Sequence, residues 1–243
     1  MIDSWRGLDM MMAIPKNILY VSMLNKAQNA MPLIDLSLSL PARAPDGSAT
    51  VTLEELRIQN YTGMIFHFLH DSMAGTYIDF PGHIKETADG FDAANYPMEK
   101  LFRVEATVIH LDRAGGSGAV TAAELAAACP RPFRGQALVL NALGARRFDA
   151  IDWRSVWLGR DARRWIIERN IHLLVSDIYE SQALEGVFLD LFGAGITTVC
   201  LPINLAALTT PYVRLTALPV RFETVTQLPC RVVAELIEPQ IKE

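Results

Sequence analysis

The segment Ser72-Met73-Ala74-Gly75-Thr76-Tyr77-Ile78-Asp79-Phe80-Pro81-Gly82-His83 is the most informative stretch of this sequence. Its polar residues, two glycines and proline interrupt a chain that is otherwise rich in apolar residues, a composition typical of a loop that positions functional groups. His83 stands out because an imidazole, with an unperturbed pKa of about 6.5, can give or take a proton at neutral pH. The segment therefore predicts a site at which proton transfer is possible.

Strands and helices alternate on the carboxyl side of this segment. Thr121 and Glu124 have the spacing of a capping box, which predicts a helix start. Apolar periodicity predicts further helices at 161–168 and 182–192, the latter ending at Gly193 and Gly195, where glycine can close a helix. Apolar, β-branched runs predict strands at 104–111, 137–143, 171–176, 197–201, 212–222 and 229–236. The pattern predicts a mixed α/β domain that opens with a strand at 31–37.

The quoted segment resembles the signature of the cyclase family that includes bacterial kynurenine formamidases and isatin hydrolases, His-x-Gly-Thr-His-x-Asp-x-Pro-x-His. Five positions match in register: Gly75, Thr76, Asp79, Pro81 and His83. Further matching segments follow in the family's order: Ile34-Asp35-Leu36-Ser37, Gly118-Ala119-Val120-Thr121, Asp177, Asn204-Leu205 and Leu218-Pro219-Val220. The resemblance implies an α/β swivelling β/β/α fold with a mixed sheet or barrel-like core. It also implies a homodimer or higher homo-oligomer with sites near the subunit contacts.

The resemblance also implies a metal site, and here the sequence departs from the family pattern. Metal-binding relatives use the two signature histidines, the aspartate, a later histidine and a glutamate as ligands. Met73 and Tyr77 occupy the two signature histidine positions, Phe188 the later histidine position and Cys200 the glutamate position, so that only Asp79 remains. Catalytic zinc sites keep three protein ligands. We therefore expect no metal and no other cofactor.

Acid–base chemistry without a metal is what these residues can still perform. The resemblance places His83 where active relatives have a proton-shuttling histidine. We expect His83 to be the main catalytic group, Asp79 to orient it or act as a base, and Tyr77 to donate a hydrogen bond to a developing oxyanion. The alternative is that Asp79 and His83 only hold the loop through hydrogen bonds.

The replaced positions make the former metal pocket more apolar, which favours an aromatic or polyene-like ligand unless the side chains simply fill the space. Cys200 is either a nucleophile or a small buried residue, and its apolar neighbours Val199, Leu201 and Ile203 favour the second, because an apolar setting suppresses the thiolate. His70, close before the signature, either lines the pocket or is a hydrogen-bonded histidine of the core or an interface. We expect the substrate to contact Met73, Thr76, Phe80, His70, Phe188 and Cys200.

Composition excludes several other classes of function. The chain of 243 residues has 22 basic and 27 acidic residues, for a net charge of −5, and lacks a basic stretch interleaved with aromatic residues. We therefore expect a small-molecule substrate and no nucleic acid partner. The three cysteines have no paired spacing, apolar runs are too short to span a bilayer, and Asp3 and Asp9 stand where a signal peptide is basic. These features predict a cytoplasmic protein without a membrane partner.

Two regions are expected. Residues 31–243 form the cyclase-type domain, and residues 1–30 form an apolar extension that packs on this domain or on a second subunit, unless it is an idle tail.

Three functions remain open. The first is a metal-independent enzyme that cyclises, dehydrates or hydrolyses a small carbonyl compound, the second a non-catalytic binding protein, and the third an arylformamidase with a rebuilt metal site.

Overall fold

The structure, a computed structural model, describes residues 32–44, 46–113 and 117–237. The expected extension at residues 1–30 lies outside the described residues. The strands are β1 (Leu33–Asp35), β2 (Val51–Ile58), β3 (Tyr61–Phe68), β4 (Tyr77–Asp79), β5 (Val104–His110), β6 (Gly118–Val120), β7 (Ala137–Asn141), β8 (Val156–Leu158), β9 (Leu173–Ser176), β10 (Thr197–Cys200), β11 (Tyr212–Pro219) and β12 (Gln227–Leu236). The helices are α1 (Ala122–Ala128), α2 (Arg160–Ile167) and α3 (Val187–Gly193).

Seven strands close into a mixed barrel in the order β12-β11-β5-β7-β9-β10-β4, and β4 pairs with β12 to complete the circle. Strand β1 adds to β12 from outside this circle. Strands β5, β7, β9 and β10 are mutually parallel, and the other contacts in the barrel are antiparallel. The predicted α/β fold with a mixed, barrel-like core is confirmed.

Alternation of side chains along the strands produces two apolar clusters. The first fills the barrel, with one residue in two from each strand, including Ile78, Val139 and Val199. The second lies between the outer face of the parallel strands and the helices, with Leu138, Leu174 and Ile166 among its members. Because β7 is buried on both faces, its sequence is a continuous apolar run from Ala137 to Leu140.

The local sequence signals explain where the helices begin. Thr121 caps α1, and the side chain of Glu124 accepts the Thr121 N–H at 2.8 Å, so the predicted capping box is confirmed. In α2, the apolar residues Ala162, Trp165 and Ile166 are buried, as the periodicity of the predicted helix requires. The third helix is shorter than predicted. It begins at Val187, because Gly186 at its start has a φ of 80°, a left-handed conformation that ends the preceding turn.

Strands β2 and β3 form a separate hairpin joined at Gln59 and Asn60. Nearly all of its residues are exposed on both faces. His70 follows β3, which ends at Phe68, and therefore lies outside the two strands of the hairpin.

Candidate active site

Strand β4 is the centre of the candidate site, because it carries Tyr77 and Asp79 between β10 and β12. Asp79 lies opposite Thr198 of β10 and Gln227 of β12, and Tyr77 lies opposite Cys200 and Pro229. Facing residues in paired strands point to the same side of a sheet. Since Ile78 points into the barrel, Tyr77 and Asp79 point outward with Cys200, Thr198 and Gln227. Pairing between β4 and its two neighbours thus brings together residues that are far apart in sequence.

A tight turn positions β4 just before Tyr77. Gly75 has a φ of 64°, and a Cβ atom at this position would lie 2.7 Å from the carbonyl oxygen of Leu38. Thr76 is buried, and its hydroxyl accepts from the N–H of Leu38 at 2.7 Å and donates to the carbonyl oxygen of Leu201 at 2.8 Å. The signature's glycine and threonine therefore fix the backbone. Thr76, predicted to contact substrate, has its hydroxyl engaged in these two bonds.

Asp79 is a buried carboxyl group with an incomplete set of hydrogen bonds. It is 2% exposed, its Oδ2 lies 3.7 Å from the Cys200 thiol, and its Oδ1 has no hydrogen-bond partner among the described residues. Burial raises the pKa of Asp79 to about 7, although the nearby Gln227 amide and Cys200 thiol oppose the rise. Thr198 Oγ1, on the facing residue of β10, is likewise buried without a hydrogen-bond partner in the described chain. This corner of the site is therefore able to accept or release a proton.

Tyr77 and Cys200 stand beside this carboxyl as neutral groups. Burial raises the pKa of the Tyr77 phenol above its usual range, and the Cys200 thiol and Asp79 carboxyl add to that effect. Burial also raises the pKa of the Cys200 thiol, and Asp79 raises it further. At neutral pH Tyr77 is therefore a hydrogen-bond donor. Cys200 is a protonated thiol, as its apolar neighbours suggested.

His83 lies on the other side of Asp79, in a short 3-10 turn at Pro81–His83, and is exposed. Its Nε2 is 3.1 Å from Nε2 of Gln227, and Ser72 Oγ donates to Oε1 of Gln227 at 2.5 Å. The Gln227 amide therefore donates to a neutral imidazole, and partial burial of the ring on this side lowers the pKa of His83. The expectation that Asp79 orients this imidazole is corrected: Gln227 does so, because it stands between the two groups on β12.

A cavity of about 120 Å³ opens on the β10 side of Tyr77 and Asp79. Tyr77 and Cys200 form part of its wall, so Asp79 lies one side chain behind the cavity surface. Phe188 of α3 also lines it and stacks on Tyr179, with ring centroids 5.1 Å apart. The sequence-based expectation that Tyr77, Phe188 and Cys200 share one pocket agrees with this geometry, and the pocket is not completely filled. The remaining wall consists of Phe148, Ile151, Trp153, Arg154, Val156, Ser176, Asp177, Ile178, Glu180 and Leu201.

The other residues predicted to bind substrate lie elsewhere. Met73 is 55% exposed and lines neither this cavity nor the larger groove described next. Phe80 is fully buried inside the barrel and packs on Tyr96 at 4.7 Å, on the opposite face of β4 from Asp79. The position of Phe80 follows from strand alternation, which sends the residues on either side of Asp79 into the barrel.

His70 lies in a groove of about 1100 Å³ on the β12 side of the site. The groove runs between the base of the hairpin and strands β11 and β12, and Ser72 and Gln227 form its inner end. The His70 Nδ1 is 3.2 Å from the carbonyl oxygen of Asp71, and the ring is exposed. His70 is thus on the opposite side of β4 from Phe188, so a single small ligand in the cavity does not contact both.

The residues present do not fit the metal that the family resemblance implies. Tyr77, Cys200, Phe188 and Asp79 are brought together, but a phenyl ring supplies no ligand atom and Met73 points to solvent. Residues 32–44, 46–113 and 117–237 contain no cluster of three His, Cys, Asp or Glu side chains that could hold a metal ion. Because catalytic zinc sites keep three protein ligands, this donor set falls short, and we derive no step through a metal.

The sequence and fold place the chain in a family. A family model described as putative cyclase matches residues 29–182, which is more than half of the chain. The chain therefore belongs to the putative cyclase family. A search of functionally curated proteins found no match to this sequence.

Solved structures share the fold. Isatin hydrolase A from Labrenzia aggregata, bound to benzyl benzoate, is 19% identical with a TM-score of 0.70, covering 90% of this chain and 99% of that protein. Isatin hydrolase A from Ralstonia solanacearum is 18% identical with a TM-score of 0.69, covering 93% and 100%. A potential metal-dependent hydrolase with cyclase activity is 19% identical with a TM-score of 0.63, covering 86% and 100%. At this identity the likeness shows the fold alone.

Sequence reasoning missed three residues that the structure brings to the site: Gln227, Arg154 and Glu180. Gln227 is 144 residues from His83 in sequence, and its strand was predicted to start at Pro229. Arg154 and Glu180 lie in loops without a recognisable motif. A signal exists only for Gln227, because the apolar alternation of β12 extends back to Leu228.

Two wider expectations, on the cysteines and on membrane spans, can be compared in part with the structure. Cys129, Cys200 and Cys230 are free thiols. Among the described residues, no helix has the length and apolar character needed to cross a lipid bilayer.

Proposed function

We propose that this protein is an enzyme that hydrolyses or cyclises a small carbonyl compound by acid–base chemistry without a metal. The observation that carries the proposal is the Asp79 carboxyl, buried beside the cavity with a pKa of about 7 and an oxygen that has no partner in the described chain. Catalytic acids and bases work best when their pKa lies near the operating pH. Strongly perturbed carboxyl groups beside a cavity are typical of active sites.

Tyr77 supplies the second role. Its phenol lines the cavity and stays protonated at neutral pH, so it can donate a hydrogen bond to a carbonyl oxygen that gains negative charge. Fixed donors of this kind typically contribute a factor of about 10²–10³ to kcat. Tyr77 and Asp79 are two residues apart on one strand and therefore act on the same face of β4. In this scheme Asp79 takes a proton from the attacking water or nucleophile, and returns it to the leaving group.

His83 enters the proposal as the group that exchanges protons with solvent. It is exposed, neutral and tied to Gln227, the residue opposite Asp79. Neither His83 nor Asp79 lines the cavity, but Asp79 contacts its wall, because its Oδ2 lies 3.7 Å from the Cys200 thiol. We therefore assign the reacting atoms to Asp79 and Tyr77, and assign proton exchange between the buried site and water to His83.

The test is a screen of small esters, lactams, amides and enol-forming carbonyl compounds with the wild-type protein. Asp79→Asn and Tyr77→Phe preserve side-chain volume and should each lower kcat, by about 10²–10⁴-fold for the loss of the acid–base group. The matched controls Asp149→Asn and Tyr61→Phe lie on the exposed surface and should leave kcat unchanged. If no compound turns over and ligands still bind in the cavity, the non-catalytic binding function takes the place of this proposal.

Proposed assembly and location complete the picture. One face of the hairpin carries Leu53, Met64, Phe66 and Phe68, each at least half exposed, and an isolated two-stranded hairpin is only marginally stable in water. Patches of this kind are typical of protein interfaces. We propose that a second copy of this chain covers the face and that the free thiols reside in the reducing cytoplasm.

Charge supports a copy of the same chain as the occupant. Strand register places Glu55 and Arg57 on the same face as Leu53 and Phe66. A twofold interface brings each surface against itself, so that residue i of one copy meets residue j of the other and the reverse. Glu55 of one copy can then pair with Arg57 of the other around an apolar centre. A small-molecule substrate remains the expected ligand of each copy.

A further inference from the structure

Two buried side-chain oxygens on facing residues of β4 and β10 have no hydrogen-bond partner in the described chain. They are Oδ1 of Asp79 and Oγ1 of Thr198. Both residues are buried, and Thr198 is completely so. Buried polar atoms without a partner are rare in proteins, because each gives up its hydrogen bonds to solvent on folding and gains none in return. Two such atoms on facing residues therefore indicate a partner that they share.

Strand pairing determines the size of this partner. Asp79 is directly opposite Thr198 in the antiparallel register of β4 and β10, and both side chains point away from the barrel interior, which Ile78 and Val199 occupy. The Cβ atoms of directly opposed residues in a sheet are about 4.5–5.5 Å apart. Two oxygens carried by such Cβ atoms and not bonded to each other are separated by the width of one small molecule. A water molecule spans a gap of this size and bonds to both sides of it.

The other polar groups nearby do not take this place. The Gln227 amide is close to the Asp79 carboxyl, but its nitrogen lies 3.1 Å from Nε2 of His83 and donates there. The Cys200 thiol is close to both residues and lies 3.7 Å from Oδ2 of Asp79, but sulfur is a weak hydrogen-bonding group. Neither Asp79 nor Thr198 lines the cavity. The shared partner is therefore not a substrate group held in the cavity.

We infer that one buried water molecule bridges Oδ1 of Asp79 and the hydroxyl of Thr198, and that Thr198 acts through it as a positioning residue for the Asp79 carboxyl. The hydroxyl donates to the water, and the water donates to the carboxylate oxygen. Buried waters make about three hydrogen bonds to polar groups, and the Cys200 thiol is available as the third partner. The water site depends only on the two unpartnered oxygens, whereas the positioning role rests on the proposed function.

A bridge at Oδ1 assigns different tasks to the two oxygens of the carboxyl. Oδ1 is held by the water and, through it, by β10. Oδ2 then remains on the side of the carboxyl that faces the Cys200 thiol in the cavity wall. Proton transfer requires its acid or base to be held in a defined geometry, so fixing Oδ1 orients Oδ2 for the reaction. Thr198 therefore contributes to the reaction without contact with the substrate.

A double-mutant cycle on thermal stability tests the water site without any substrate. Thr198→Val keeps the shape of the side chain and removes its hydroxyl. If the hydroxyl holds a water against Asp79, its loss leaves the water and Oδ1 with fewer hydrogen bonds, and the melting temperature of the full chain should fall by about 2–4 °C. In an Asp79→Leu background, which has no carboxyl to bridge, Thr198→Val should leave the melting temperature unchanged or raise it, because a buried hydroxyl without a partner costs free energy.

Thr107→Val is the matched control. Thr107 is another fully buried strand threonine, but its hydroxyl already donates to the carbonyl oxygen of Arg134 at 2.8 Å and accepts the Arg134 N–H at 2.9 Å. Its effect should be the same in wild type and in the Asp79→Leu background. The inference is overturned if Thr198→Val alone raises the melting temperature, or if its effect is equal in the two backgrounds. A high-resolution crystal structure without an ordered water between the two oxygens would also overturn it.

Turnover tests the positioning role. With a substrate from the screen, Thr198→Val should lower kcat by up to about 10²-fold and leave KM nearly unchanged, because a misplaced proton-transfer group affects the transition state more than binding. Thr198→Ser, which keeps the hydroxyl, should retain most of kcat, and so should Thr107→Val. The expected melting temperatures without any turnover would support the water site and overturn the proposed enzyme, and the positioning role with it. Turnover that is lost in Asp79→Asn but intact in Thr198→Val would overturn the positioning role alone.

Discussion

Nε2 of Gln227 lies 3.1 Å from Nε2 of His83, so the amide rather than Asp79 holds the imidazole. Because Ser72 donates to the amide oxygen, the amide nitrogen is turned toward His83 and requires a neutral ring. The Gln227 side chain therefore lies between Asp79 and His83, the two groups that can carry a proton. It also makes the protonation of His83 dependent on the identity of residue 227.

Gln227→Glu should raise the pKa of His83. The wild-type amide can only donate to the neutral ring, and burial already lowers the pKa of His83 below 6.5. A carboxylate in the same place would accept from the protonated ring and favour it. NMR titration of the His83 ring protons measures both values. Gln227→Met, which removes the polar group, serves as the control and should not raise the pKa, and an equal pKa in wild type and Gln227→Glu would contradict the assigned contact.

Asp79→Asn should stabilise the protein at pH 8 but not at pH 4. The folded-state pKa of about 7 lies above the ordinary value of 3.8, so the native state binds the proton more tightly than the unfolded chain. Stability contributed by the protonated form is present below pH 4 and is lost as the pH rises toward 7. The full penalty is on the order of 4 kcal/mol at most. Asparagine has no such penalty, so its melting temperature should exceed that of wild type by several degrees at pH 8.

Melting curves at both pH values check this prediction. Asp149→Asn, an exposed residue paired with Arg147, should behave like wild type at both. Asp177 is present in wild type and in Asp79→Asn, so its own titration cancels from the comparison. A destabilised Asp79→Asn at pH 8 would contradict the raised pKa assigned to Asp79.

Elemental analysis tests the metal directly. Tyr77, Cys200 and Phe188 replace three ligands in the cavity wall and Met73 a fourth outside it. Protein purified without chelators should therefore carry far less than one zinc, manganese or iron ion per chain. The matched measurement is the same analysis of Asp79→Ala. One ion per chain in wild type that disappears in Asp79→Ala would contradict the metal-independent proposal.

The hairpin provides a test of assembly. Phe66 and Ile65 are neighbours in β3 that point to opposite faces, and both are exposed. Phe66→Glu places a charge in the proposed interface and should reduce self-association by at least 10-fold in sedimentation velocity experiments. Ile65→Glu is the control and should retain the wild-type mass. A monomeric wild-type protein, or an equal loss in both variants, would contradict the proposed interface.

Local sequence signals predicted the fold well because they act over three or four residues. The capping box of Thr121 and Glu124 and the apolar strand at Ala137–Asn141 needed no distant partner. The signature segment supplied the family and, through it, the barrel. The closure of that barrel by β4 and β12 could not be read from the sequence itself, because it joins Asp79 to Gln227 across most of the domain.

The site was harder to predict for the same reason. Asp79 and Tyr77 were recognised from the signature, but the alternation of β4 sends Phe80 into the barrel, a fact that the residue types do not reveal. Gln227, Arg154 and Glu180 reach the site from other strands and loops, and a glutamine or an arginine in a loop has many ordinary roles. Gln227 is recognised only when its amide is seen beside His83, and Arg154 and Glu180 only when both are seen in the wall of one cavity.

The comparison of Asp79, His83 and Cys200 decides how the chemistry is distributed. Once a substrate is found, Asp79→Asn should remove most turnover at every pH, because asparagine cannot take up or release a proton and burial keeps the adjacent Tyr77 phenol and Cys200 thiol protonated. His83→Ala should also abolish turnover at neutral pH while leaving the protein folded, since the ring is exposed and its loss frees only the Gln227 amide. Added imidazole should restore part of that activity, because proton exchange with solvent needs a base but not a fixed one.

Cys200→Ser should leave most activity, because burial keeps this thiol protonated and unreactive. Rates measured across pH 5–9, with melting curves for each variant, give the answer. If Cys200→Ser abolishes turnover and Asp79→Asn does not, the thiol is the nucleophile and the roles assigned to Asp79 and His83 are wrong; if His83→Ala is fully active, His83 only positions Gln227.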